Sequence, residues 1–338
     1  MLFQNILLPG VIVPIGVAIL GGLVALFLGR MLRFDLRRPV GASLAVAGGF
    51  VAGYASLTGV PQWPPVSSTE KLPVVVALVG LFAAAAVPWS QRRRATSFAP
   101  EEEAPRALPR VLFAVLCAAT TAYLLQNLIS NSWTALRSGL WIGAAAVVGW
   151  LAFGTLHAAF APPFETGPGE HRSLGATAVG IVARLVWGSL LAGCLALGSS
   201  AILAQYVGAA VAAIGVVEVA GVVLERRFWH PLDVLPLGLI VLALPLAGHH
   251  FADLTLWPAL LVLVSILALG PRRSGAVRQL PAIAFLIAAL GLLAWAKAQE
   301  PADPYGDYYD EYGAIVLPDE ASALTGSGGL RLPGVTRV

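Results

Sequence analysis

Two consecutive runs decide how this chain reads: LGATAVGIVARLVWGSLLAGCLALG at Leu174–Gly198 and AILAQYVGAAVAAIGVVEVAGVVL at Ala201–Leu224, closed by Glu225, Arg226 and Arg227. Each is long enough to cross a bilayer as a helix, which takes about 20 apolar residues. Inside them stand two charges, Arg184 and Glu218. A charge near mid-bilayer costs about 3 kcal/mol or more on insertion scales, so both need a partner. Gly198–Ala201 alone joins the runs, which makes the two helices antiparallel neighbours. At 1.5 Å rise per residue the two charges differ in depth by about 6 Å. A long arginine side chain spans that by reaching along its helix. A buried Arg184–Glu218 ion pair is predicted.

The surroundings of Arg184 support burial. At spacing four along its face lie Ala176, Gly180, Gly188 and Ala192, a ridge of small residues that lets another helix come close. Two readings of the pair stay open. Intramembrane charges often mark a substrate or proton pathway; buried pairs also act as clasps that fix helix register.

Outward from these runs, the same pattern repeats along the chain. Apolar stretches cover roughly 5–29, 40–60, 72–89, 110–128, 139–160, 174–198, 201–224, 233–249, 255–270 and 280–298. Backbone groups in lipid must bond within their own segment, so these runs are helices. The prediction is an all-α polytopic transmembrane bundle of about ten spans. Composition agrees: 58% of the 338 residues are hydrophobic and 12% charged, about half the charge of an average soluble domain. Mean hydropathy is +0.80.

Loop charges orient the bundle. Arg30, Arg33, Arg37 and Arg38 follow the first run; Arg92, Arg93, Arg94, Arg106 and Arg110 follow the third; Arg172, then Arg226 and Arg227, then Arg272, Arg273 and Arg278 follow later ones. Every second loop is therefore rich in arginine, while Lys71, Arg137, Lys297, Arg331 and Arg337 fall on the other side. By the positive-inside rule both termini face away from the cytoplasm. In a bacterium the location is the cytoplasmic membrane. The first run lacks a charged leader before it and is read as a retained helix, not a signal peptide.

Residues 90–109 make a cytoplasmic linker, and 299–338 an acidic exoplasmic tail with Asp303, Tyr305, Asp307, Tyr308, Tyr309, Asp310, Glu311 and Tyr312. Its composition, rich in Gly, Ser and Pro beyond that stretch, is that of a disordered segment. The tail offers charge to a basic protein partner but lacks the spacing of a calcium loop.

Other polar groups are sparse. His157 lies near the cytoplasmic end of the fifth span, where it can relay protons or simply sit at the interface. Thr120, Thr121, Tyr123, Gln126, Asn127 and Asn131 end the fourth span; Gln126 and Asn127 line a polar vestibule or bond between helices. His249, His250 and Asp253 form H-H-x-x-D at the end of the eighth span, a weak metal motif without a fourth ligand. Gly41, Ala45, Gly49 and Gly53 form a second small-residue ridge, a contact within the fold or with a partner. Trp63, among Pro61, Pro64 and Pro65, suits an interfacial anchor on a stiff loop.

Cys117 and Cys194 lie inside apolar runs and read as small core residues. Zincin, P-loop and nucleophile-elbow motifs are missing, so neither enzyme chemistry nor a cofactor is predicted. Nucleic acid is excluded because the arginines sit in short clusters between apolar runs. The helix number and the Arg184–Glu218 pair point first to a permease-like protein moving a small solute, ion or lipid. The small-residue ridges and the tail point to a non-catalytic membrane subunit or scaffold. A membrane-embedded lipid transferase comes third.

Overall fold

The computed structural model describes residues 15–17, 19, 42–61, 63–65, 67–96, 107–160, 174–198, 200–223, 229, 231–252, 254–269 and 276–299, with backbone alone at 87–96, 174–177, 222–223, 231 and 276. Most of the expected first span, part of the cytoplasmic linker, Asp253, the tail from residue 300 and both termini lie outside these residues. The chain divides into a unit of Met1–Ala294 and a unit of Trp295–Val338.

Among the described residues the secondary structure is helical throughout, with no strand. The α-helices are α1 (Ala42–Thr58), α2 (Ser68–Thr96), α3 (Ala107–Leu124), α4 (Gln126–Asn131), α5 (Ala135–Phe160), α6 (Leu174–Gly198), α7 (Ala201–Val223), α8 (Val234–Phe251), α9 (Leu256–Leu267) and α10 (Leu280–Gln299). Seven of them are long and apolar enough to cross a membrane: α2, α3, α5, α6, α7, α8 and α10. Two more, α1 with 17 residues and α9 with 12, are apolar but shorter. At 1.5 Å per residue α9 is about 18 Å long, short of a ~30 Å hydrocarbon core.

Outer faces are as apolar as inner ones. Leu78, Leu81, Val115, Val147, Leu151, Val182 and Ile287 are all exposed, and a helix apolar all round belongs in lipid or in a large core. This is a membrane protein, in contact with the bilayer through these faces.

The centre is α8. Of its apolar window 72% is buried inside the protein, against 22% for α5 and 28% for α3 and α10. It packs on α1, α2, α3, α5, α6, α7 and α9. Gly238 makes part of this possible, since a Cβ there would run into the buried ring of Phe113.

Helix ends differ from the hydropathy estimate for local reasons. α2 begins four residues before the expected 72 because Ser67 and Glu70 form a capping box. Ser67 N donates to Glu70 Oε2 at 3.1 Å and Glu70 N to Ser67 Oγ at 3.2 Å, satisfying two of the helix's orphan donors. The expected 110–128 helix instead breaks at Leu125 (φ −88, ψ 7), leaving α4 as a separate piece. Two carbonyls at the break find partners from α2: Ser68 Oγ donates to Leu124 O at 2.7 Å and Lys71 Nζ to Tyr123 O at 3.1 Å. α1 stops where Gly59 takes φ +86, the left-handed position that closes helices. Its other end is held by the buried Asp233, whose Oδ1 accepts from Ser43 N at 3.2 Å. A carboxylate there meets the positive end of the helix.

Candidate functional site

The α6–α7 pair carries the first candidate. Arg184 faces Glu218, Leu185 packs on Gly215 and Gly188 on Val211. Numbers rise along one helix as they fall along the other, so the pair is antiparallel. A Cβ on Gly188 would stand 2.5 Å from Val211 Cγ2, closer than real contacts allow, so the absence of a side chain sets the spacing of the two helices.

Arg184 Nη2 donates to Glu218 Oε2 at 2.9 Å, and both side chains are 1% exposed. The guanidinium carbon lies 5.7 Å from the centroid of Phe160 on α5. One residue turn away, Trp187 Nε1 donates to Ser265 Oγ of α9 at 3.3 Å, and Ser265 Oγ donates to Val262 O at 2.7 Å. Arg184 forms one wall of a cavity of about 10 Å³, lined also by Phe160, Trp187, Val207, Ile214 and Ile240 among others. That is about the least volume able to hold one water. Among the described residues, Phe160 and the apolar side chains of the cavity lie beside Arg184, and both charged side chains are shielded from solvent.

The other polar candidates lie on different elements. His157 stacks on Phe153 at 5.8 Å, and Phe153 belongs to a smaller core with Phe113, Cys117 and Leu239. Gln126 is exposed at the start of α4, where its Oε1 accepts from Lys71 Nζ at 3.2 Å. Asn127 is exposed on the same short helix. The two cysteines are buried and unbridged.

Lys71 is the residue that hydropathy misplaced. Assigned to a loop, it is 3% exposed, bonded to Tyr123 O and Gln126 and 4.8 Å from the Tyr123 ring centroid. A cation at the carbonyl end of α3 offsets the helix dipole there. The signal that would have found it is the Ser67…Glu70 capping box, which puts Lys71 inside a helix.

A second candidate lies where α5 begins and α8 ends. Trp133, Trp141, His249 and His250 form one cluster: Trp133 stacks on Trp141 at 6.4 Å, Trp141 lies 4.5 Å from His250 and 5.7 Å from His249. Arg137 holds its guanidinium 4.7 Å from the Trp133 ring centroid. His249 Nδ1 bonds to Leu254 O at 2.7 Å; with a carbonyl as partner, Nδ1 carries the proton. Among the described residues no three of His, Cys, Asp and Glu converge as a metal would require, and Asp253 is outside them. The sequence places Arg137 only as a loop charge and does not single out Trp133 or Trp141, although the three recur at a spacing of four.

Below this cluster opens a cleft of about 100 Å³ between α3, α5, α8 and α9. Trp141 and His249 line its upper part; Ala145, Val148, Leu239 and Leu263 line the rest, with Thr120 and Thr121 the hydroxyls among them. Pro245 also lines it, and a proline in mid-helix removes one backbone hydrogen bond. Comparison with family models, with curated proteins and with solved structures finds no match to this chain.

Proposed function

We propose that this chain is a multi-pass protein of about ten spans with both termini exoplasmic, lying in the cell membrane. Its role is that of a non-catalytic membrane subunit or scaffold within a larger assembly. The observation that carries this reading is the enclosure of Arg184 and Glu218, 1% exposed beside a cavity of about 10 Å³. A pair on a solute pathway needs water or substrate at its side for part of the cycle. A pair that fixes the register of α6 and α7 needs neither, and costs least when its geometry is held closed. The acidic tail and the arginine-rich loops are then the surfaces offered to a protein partner.

Accessibility of the enclosed region tests this. In a chain with Cys117 and Cys194 replaced by Ala, Ala210→Cys puts a thiol on the wall of the small cavity. It should stay unlabelled by a membrane-impermeant thiol reagent in intact vesicles. Labelling from either side would overturn the subunit reading in favour of a pathway. Purification in mild detergent supplies the positive counterpart, a partner retained in stoichiometric amount.

The permease-like reading keeps one observation on its side, the larger cleft. Its walls suit a lipid better than a hydrophilic solute.

A further inference from the structure

Charge and apolar surface are arranged head to tail along one face of α5. Arg137, Trp141, Ala144, Ala145 and Val148 recur at spacings of three and four, so they share a face. From Arg137 to Val148 this strip is about 16 Å long at helical rise. Four of the five line the cleft, Arg137 being the one beyond its upper end. Ala144 and Leu256 line the cleft and are themselves exposed, so the cleft opens outward between α5 and α9. Beside that opening the surface is apolar, with Leu140 and Trp257 exposed at 65% and 71%. In a membrane protein such a surface meets hydrocarbon, and a cleft that opens there fills with hydrocarbon.

The upper end differs. Trp133 and Trp141 are rings with an apolar body and an N–H, the side chains that favour the boundary between chains and headgroups. Arg137 is exposed and pairs with no carboxylate among the described residues. Its guanidinium is positioned by Trp133, and a planar fork of donors matches the oxygens of a phosphate. His249 lines the cleft below with its Nδ1 engaged by Leu254 O, which leaves Nε2 as the ring atom able to accept from a glycerol hydroxyl.

We propose that this cleft is a binding site for an anionic phospholipid. One acyl chain lies along Ala144, Ala145 and Val148 toward Leu239, and the phosphate is held at Arg137 above the tryptophan–histidine cluster. Neutral walls recognise the chain, and Arg137 holds the phosphate while repelling a headgroup that adds a cation of its own. The inference stands apart from the subunit reading, since a bound lipid serves a scaffold and a permease alike.

Native mass spectrometry of the full chain, delipidated in detergent and titrated with phosphatidylglycerol or phosphatidylcholine of identical acyl chains, tests it. One phosphatidylglycerol should bind about tenfold more tightly than phosphatidylcholine, because both offer Arg137 a phosphate but only the latter brings a choline cation against the guanidinium. Arg137→Gln should bring the two lipids level. Ala144→Phe, at an exposed position that needs no repacking, should fill the cleft and abolish the tight adduct. Val147→Phe, on the same helix but outside the cleft, should leave it intact and so separates a specific loss from damage to α5. Equal affinity for the two lipids in the unmodified chain would overturn the proposal. So would a preference that survives either Arg137→Gln or Ala144→Phe.

Discussion

Arg184 and Arg137 belong to the same kind of helix and meet opposite fates. Arg184 sits in mid-run with its side chain 1% exposed, bonded to Glu218 at 2.9 Å and roofed by Phe160. Arg137 sits two residues into α5, exposed, with Trp133 beneath it and no described carboxylate in reach. Next to the first is a cavity of about 10 Å³, and next to the second a cleft of about 100 Å³. Depth explains the contrast. A guanidinium in the middle of an apolar helix must bring its own counter-charge and close the space around it. At a helix end, water and headgroups do that work, so the charge is left available.

The largest expected effect tests the closed region. Glu218→Ala strands a buried cation and should lower stability by about 3–5 kcal/mol, read as a loss of folded protein in a denaturant titration in detergent. Replacing both partners, Arg184→Met with Glu218→Leu, should recover most of that loss, because no unpaired charge remains. A double variant as unstable as the single one would remove the ion pair from its place as a clasp.

Gly238→Leu asks how rigid the centre is between the two regions. Its side chain would collide with Phe113 and Leu156, and overpacking of this kind costs about 1–3 kcal/mol. The same titration measures it, and wild-type stability would mean that α8 is loosely held.

Lys71→Met is a third, intermediate case: a buried cation that uses carbonyls instead of a carboxylate. Losing its bond to Tyr123 O leaves that part-buried carbonyl without its side-chain donor, a cost of about 1 kcal/mol, while the exposed Gln126 can turn to water. Hydrogen exchange at the amides of α4 should rise selectively, since the break at Leu125 is what Lys71 supports. Unchanged exchange would show that the break holds without it.

The smallest effect is at Ser265→Ala, which removes the acceptor of Trp187 Nε1. Interhelical hydrogen bonds in membrane proteins average about 0.6 kcal/mol. A thermal shift in detergent of that size sharpens the comparison by showing how little the enclosed region owes to neutral polar bonds. A loss as large as that of Glu218→Ala would break it.

Much of this architecture was legible. The all-helical class, the apolar outer faces and the positions of α6, α7 and α10 follow from run length, because lipid-compatible helices need long uninterrupted apolar stretches. Hydropathy failed where polar side chains set the helix ends. The capping box at Ser67 and Glu70 carried α2 past Lys71, and the carbonyl partners from Ser68 and Lys71 coincide with a break that an averaged apolar run cannot register. Asp233 opens the expected 233–249 run; it is fully buried because it caps a helix 190 residues away.

By itself, then, the order of residues determined that the described segments would be membrane-capable helices and that Arg184 would need a counter-charge. Both are local matters of transfer energy, summed along one segment or paid at one position. Tertiary structure alone decided that the space beside Arg184 would be closed, that α8 would be the centre, and that Arg137, two tryptophans and two histidines would stand over an open cleft. Those outcomes depend on which helix faces which, and small residues such as Gly188 and Gly238 set that through contacts with partners far along the chain.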